Sequence, residues 1–191
     1  MRVIAGKYRS QQLTSLPGID VRPTADRLRE TLFNVLTAGN PSALEKTVWL
    51  DLYAGTGAVG IEAISRGAGM VHFVESSAGA AELIKRNLAS LRIGGGFQIL
   101  KQDSIRALRA LELSGTNADF VFLDPPYDME GAYRQTLQTL SKSQVLKPES
   151  IVIAEHQKKF DPRESFEALV RYRKLEQGDA ALSFYRLAST Q

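Results

Sequence analysis

The sequence predicts an α/β fold, a doubly wound and mostly parallel sheet of seven strands that ends in an antiparallel C-terminal hairpin, with a small β-hairpin extension at the N-terminus. Three observations predict it. Short β-rich runs alternate with amphipathic segments from residue 48 onward, a glycine-rich turn follows the first of these runs, and after residue 160 the alternation gives way to two strand runs joined by a turn.

The strand runs lie at 48–53, 70–75, 97–102, 119–124 and 151–156, and the segments between them, 57–66, 79–91, 104–113 and 131–146, have the apolar spacing of helices. Runs 169–176 and 181–187 flank a Gln177-Gly178-Asp179-Ala180 connection, which reads as the turn of a hairpin. Upstream, Ala25, Leu28, Leu32 and Phe33, then Val35 and Leu36, recur at helical spacing, and Pro23 suits the first turn of a helix over 24–36. The first thirteen residues read as a hairpin or arm turning at Ala5-Gly6, followed by a break at Pro17-Gly18. The expected division is an arm over 1–20 and one α/β domain over 21–191. Gly94-Gly95-Gly96 reads as a plain connection before the third strand.

A chain of 191 residues suffices for one core. No stretch is long and apolar enough to cross a bilayer, and the polar start lacks the apolar segment of a secretory signal, so a cytoplasmic protein is expected. The absence of cysteine removes disulfides, thiolate nucleophiles and cysteine-ligated zinc; with only two histidines, no metal site is expected. His72, His156 and Trp49 read as structural. The net charge of +3 is modest, so affinity for a polyanion requires local clustering. Arg2, Lys7 and Arg9 form such a cluster ahead of the first acid, Asp20, although composition alone fits a solvated terminus equally well. Lys158, Lys159, Arg171, Arg173 and Lys174 pose the same choice on and before the C-terminal hairpin.

Gly55, Gly57 and Gly60 satisfy G-x-G-x-x-G between a strand and a helix, the context that a nucleoside-bearing cofactor requires. Tyr53 and Ala54 complete the turn. The motif alone fits dinucleotide enzymes and methyltransferases equally. Asp51 separates them: a carboxylate beside the loop repels a pyrophosphate but favours the ammonium and sulfonium of S-adenosylmethionine. Glu75, with Ser76 after it, ends the second strand, where an acid can accept ribose hydroxyls. Asp103 and Ser104 follow the third strand and either contact adenine or cap the next helix. All three acids fall at carboxyl ends of strands, the edge where open α/β sheets bind ligands.

Asp124-Pro125-Pro126-Tyr127 follows the fourth strand at the same edge. An exocyclic amine on a nucleobase is a poor nucleophile because its lone pair is delocalised into the ring. The Asp124 carboxylate and the Pro125 carbonyl can each accept an N–H and turn that lone pair outward, while Tyr127 stacks on the base. Asp124 then either takes the proton shed after methylation or stabilises the charge. The activated sulfonium makes a metal unnecessary.

The chain resembles the methyltransferases that modify the N2 amine of one guanine in bacterial 16S ribosomal RNA. The resemblance runs through residues 2–9, 22–35, 50–60, 122–127 and 183–186, and the basic arm with the Arg22-Pro23-Thr24 helix makes it specific. It implies a Rossmann-like class I methyltransferase fold, S-adenosylmethionine as cofactor, Thr24 and Arg27 near its methionine end, and RNA contact through Arg2, Lys7, Tyr8 and Arg9. It further implies 16S rRNA as partner, presented in the small subunit or an assembly intermediate, with no membrane and no metal; a monomer is expected. The rivals are a DNA or RNA amino-methyltransferase acting on adenine N6 or cytosine N4, an NAD-dependent oxidoreductase, and a non-catalytic RNA-binding scaffold.

Overall fold

The computed structural model describes residues 1–15, 23–126 and 128–188, the side chains of 23–25 excepted. The alternation of the sequence becomes β1 (Val48–Leu52), α2 (Ala58–Ser65), β2 (Met70–Val74), α3 (Ala78–Ser90), β3 (Phe97–Leu100), α4 (Ser104–Leu113), β4 (Ala118–Leu123), α5 (Glu130–Leu140) and β5 (Leu146–Gln157), preceded by α1 (Pro23–Leu36). The chain ends in β6 (Ser165–Phe166), β7 (Leu169–Gln177) and β8 (Ala180–Leu187). The sheet order is β3-β2-β1-β4-β5-β8-β7-β6, parallel from β3 to β5 and antiparallel from β8 onward. This is the Rossmann-like methyltransferase arrangement expected.

Strands β1, β2 and β4 read as nearly unbroken apolar runs because helices cover both faces of the sheet. On one face Trp49, Phe73, Phe120, Phe122, Ile153 and Phe184 pack under α1, α2 and α3; on the other Leu50, Leu52, Val121, Leu123, Val152 and Tyr185 pack under α4 and α5. Trp49 stacks between Phe33 and Phe120 at ring separations of 5.3 and 5.1 Å, a core role as expected. The winding direction reverses between β1 and β4, which opens a crevice outside their carboxyl ends.

Among the described residues the sheet has eight strands rather than seven. The extra one, β6, is two residues long and shows no periodicity; it is anchored by Phe166, which is buried edge-on against Tyr185. Helix α5 stops at Leu140 instead of reaching 146, because Val145 and Leu146 are buried and Leu146 already pairs with Ala118 in the sheet.

The N-terminal hairpin is a single antiparallel bridge between Arg2 and Gln12, closed by a turn through Gly6 and Ser10, both left-handed. It lies on the domain. Val3 and Leu13 join the α1–α3 core, and the N–H groups of Lys7 and Tyr8 donate to the Ser65 carbonyl and Oγ at 2.7 and 2.9 Å. A Cβ at Gly6 would sit 1.9 Å from the Ser65 carbonyl oxygen, so only glycine allows this approach. The break at Pro17-Gly18, the expected boundary at residue 20 and Arg22 lie outside the described residues. No helix among the described residues is long and apolar enough to cross a membrane.

Candidate active site

The turn after β1 is built by its own hydrogen bonds. Asp51, buried at the end of β1, accepts the Gly60 N–H through Oδ2 at 2.9 Å, tying the strand to α2. Gly60 permits this closeness, since a Cβ would lie 2.3 Å from the Phe73 ring. Gly55 and Gly57 are left-handed, and so is Tyr53 at φ 62°, a strained conformation for a non-glycine residue. Tyr53 is held there by a 2.7 Å hydrogen bond between its hydroxyl and Thr136 Oγ1. The Ala54 N–H donates to the Val74 carbonyl at 3.0 Å, so Tyr53 to Gly57 form a fixed cradle.

Glu75 clamps the other side, with Oε2 accepting the Gly55 N–H at 2.9 Å and Oε1 the Ser77 N–H at 2.7 Å. Each oxygen keeps a lone pair for a ligand hydroxyl. Ser76 is exposed beside it. Asp103 caps α4, accepting the Arg106 N–H at 3.0 Å and pairing with Arg106 Nε at 3.3 Å, so helix capping is the role its contacts display; Ser104 is buried at the helix start.

Burial pushes the Asp51 carboxyl up to about 8, partly opposed by the Gly60 N–H and reinforced by the charges of Asp124 and Glu75. A cationic ligand group favours the ionised form. Binding of S-adenosylhomocysteine near pH 7 is therefore expected to release close to one proton, read as a dependence of calorimetric heat on buffer ionisation enthalpy. Asp51→Asn should remove that dependence and weaken binding; equal proton release by the variant would clear Asp51 of the role.

Asp124 follows β4 at the crevice, and burial raises its carboxyl to about 7. The Pro125 carbonyl is approached by the Tyr133 hydroxyl at 3.3 Å, but that hydroxyl makes its shorter bond, 2.8 Å, to the Glu155 carbonyl, leaving Pro125 acceptor capacity. Pro125 is buried and Pro126 exposed; Tyr127 lies outside the described residues, as does the side chain of Thr24. Arg27 is exposed.

Two residues beyond the sequence expectations join the site. Glu155 on β5 feels the charge of Asp124 and is itself raised by burial, while Arg29 of α1 lowers it. Arg29 is 5% exposed, bonded through Nη2 to the Arg2 carbonyl and Asp26, with no hydrogen bond at Nε.

The family model described as conserved hypothetical protein 95 matches residues 1–186. The ribosomal RNA small subunit methyltransferase D of Haemophilus influenzae is 35% identical over 159 residues, covering 83% of this chain and 79% of that protein. The chain belongs to the ribosomal RNA small subunit methyltransferase D family. The Escherichia coli protein of the same description is 32% identical over 155 residues, 81% of this chain and 74% of that one. Among solved structures, a hypothetical protein of Thermus thermophilus superposes with TM-score 0.80 at 26% identity, covering 96% of this chain and 98% of that one. The Thermus thermophilus 16S rRNA N2 G1207 methyltransferase, in complex with AdoMet and guanosine, superposes with TM-score 0.70 over 91% of this chain and 45% of that one; at 19% identity it speaks for the fold alone.

In this member of the methyltransferase D family the basic groups divide into two kinds, and Lys159 and Arg173, exposed and without an ion pair among the described residues, fall with the arm. Arg2, Lys7 and Arg9 are exposed and, among the described residues, make no ion pair; Lys7 Nζ lies 5.3 Å over the ring of the half-buried Tyr8. Lys158 instead pairs with Glu176, Arg171 with Asp161 and Glu164, and Lys174 with Asp161 and Glu176. Those three have their charge answered within the protein.

Proposed function

We propose that this chain transfers a methyl group from S-adenosylmethionine to the exocyclic N2 of a guanine in 16S ribosomal RNA of the small ribosomal subunit. The observation that carries the reading is Asp124, a carboxyl with no hydrogen bond among the described residues, at the crevice beside Asp51 and the glycine cradle. The names of the family's members support ribosomal RNA as the substrate class.

The donor set fits the cofactor. Gly60 of α2, where a Cβ would strike Phe73, lets the helix close onto the cradle, Glu75 has lone pairs for ribose hydroxyls, and Asp51 has a buried carboxyl suited to a cation. S-adenosylmethionine, when bound, supplies a methyl group already activated on a sulfonium. Asp124 accepts one N–H of the target amine and the Pro125 carbonyl the other, so the nitrogen lone pair points out of the ring plane toward the methyl carbon. As the nitrogen–carbon bond forms, the carbon–sulfur pair departs to sulfur, and Asp124 receives the proton that the nitrogen sheds. The resulting neutral carboxyl suits a group whose value is already raised to about 7.

The arm supplies affinity. Replacing Arg2, Lys7 and Arg9 by Ala should weaken RNA binding at low salt and lower the slope of log K against log salt by roughly 0.7–0.9 for each phosphate that the arm no longer neutralises. An unchanged slope would make the arm a solvated terminus. Mass mapping of the modified nucleotide, after reaction with small-subunit particles lacking the mark, tests the whole assignment. An added methyl on a guanine N2 is expected, and incorporation into DNA alone would overturn it.

A further inference from the structure

We infer that Glu155 selects guanine: its carboxylate accepts the N1–H of the base whose N2 amine is held by Asp124, an inference that rests on the function proposed above.

Strands β4 and β5 are parallel neighbours, with Phe122 opposite Ile153 and Leu123 opposite Ala154. The next step of that register sets Asp124 beside Glu155, about 4.8 Å apart along the hydrogen-bonding direction. Side chains alternate between faces, so both carboxyls share the face of Phe122 and Ile153, under α1 and α2. Asp51, opposite Phe122 on β1, lies on the same face. Three acids from three adjacent strands thus line one side of the crevice.

A structural role for Glu155, which is half-buried, would show donors, because a carboxyl drawn partly out of water is costly without them. Among the described residues no hydrogen bond or ion pair reaches it. Its backbone carbonyl accepts the Tyr133 hydroxyl at 2.8 Å, which fixes the strand at this point, while its carboxyl is an acceptor without a hydrogen-bond partner among the described residues. Burial and then the charge of Asp124 raise its carboxyl well above the ordinary value, and Arg29 is the cation whose field opposes them and favours the ionised form. The fixed arrangement of Arg29, with Nη2 on Asp26 at 2.9 Å and on the Arg2 carbonyl at 2.6 Å, keeps that field constant.

The chemistry of the bases then discriminates. Guanine presents N1–H next to its N2 amine, two donors on one edge. Adenine and cytosine present a ring nitrogen lone pair next to their amines. A carboxylate beside Asp124 attracts the first arrangement and repels the other two, so the same acid that positions guanine excludes the amines an Asp-Pro-Pro-Tyr site can otherwise methylate.

The test uses small-subunit particles carrying guanosine or 2,6-diaminopurine riboside at the mapped position. Both bases have the 2-amine, but only guanine has the N1 proton. Wild type is expected to prefer guanine on the order of 10- to 100-fold, the discrimination that a good base-edge contact supplies. Glu155→Gln, whose amide can donate to the N1 lone pair, should lower turnover of guanine and raise that of diaminopurine, with S-adenosylhomocysteine binding unchanged as the check on folding. Equal wild-type rates on the two bases would overturn the role of Glu155 even if the variant were inactive, as would a ratio the variant leaves unchanged. Failure of wild type to methylate the guanosine particles would instead strike at the proposed function.

Discussion

Asp124→Ala is expected to lower methyl transfer to ribosomal particles by on the order of 10³-fold or more, the span of a missing positioning group together with a missing proton acceptor. S-adenosylhomocysteine affinity should stay close to that of wild type, because the cradle from Tyr53 to Gly57 is held by Glu75, Val74 and Thr136 and owes nothing to Asp124. Asp124→Asn separates the two roles. The amide oxygen still accepts an N–H but cannot take the proton, so an intermediate loss is expected. The pH profile carries the sign: below about 7 the Asp124 carboxyl of the free protein is protonated and cannot take the proton that the amine sheds, so kcat/KM for RNA falls as pH drops. The positive charge of the cofactor moves this midpoint down and never up. A flat profile in Asp124→Asn with an otherwise normal rate would refute the role given to the carboxylate.

What could be read from the sequence, and what could not, follows from the range of the interactions involved. The parallel strands announce themselves because both faces are covered, as in Val48–Leu52 and Met70–Val74, and the glycine turn because Gly60 has no space for a Cβ. Asp51 and Glu75 stand where the carboxyl-edge rule puts them. At Asp103 a local force decides its visible contacts: the unpaired N–H of Arg106 lies in the first turn of α4, three residues on, and takes the carboxylate. Glu155 was hidden because β5 runs on to Gln157, so the residue lies inside the strand; only the long-range register with β4 brings it to Asp124. Arg29 did have a signal. It precedes Leu32 and Phe33 by three and four residues, so it shares their buried stripe, whereas Arg27 does not.

The second large effect is on stability and comes from Glu62, a fully buried acid in the middle of α2. Its Oε2 accepts the Ile4 N–H at 2.7 Å, its Oε1 accepts the Ala5 N–H at 3.0 Å and Arg66 Nε at 2.8 Å, and Arg29 Nε stands 4.0 Å away. One carboxylate thus joins the arm, α1 and α2. Glu62→Ala leaves two backbone donors and a buried guanidinium without their acceptor, a loss of about 3–5 kcal/mol, or a fall in Tm of roughly 10 °C or more for a chain of this size. Glu62→Gln, which keeps the shape and one acceptor but loses the charge, should fall between. Hydrogen exchange locates the damage: the amides of Ile4 and Ala5 should exchange at rates set by local opening in the alanine variant while those of β1 and β4 follow global unfolding. A Tm within about 1 °C of wild type would mean that water replaces the carboxylate, and that the buried acid is not what secures the arm. If the loss is found, it also reaches function, because Arg29 faces both Glu62 and Glu155. The alanine variant, assayed well below its lowered Tm, should then weaken RNA binding through the arm and blur the preference for guanine together, two effects that a purely global loss of stability would not produce.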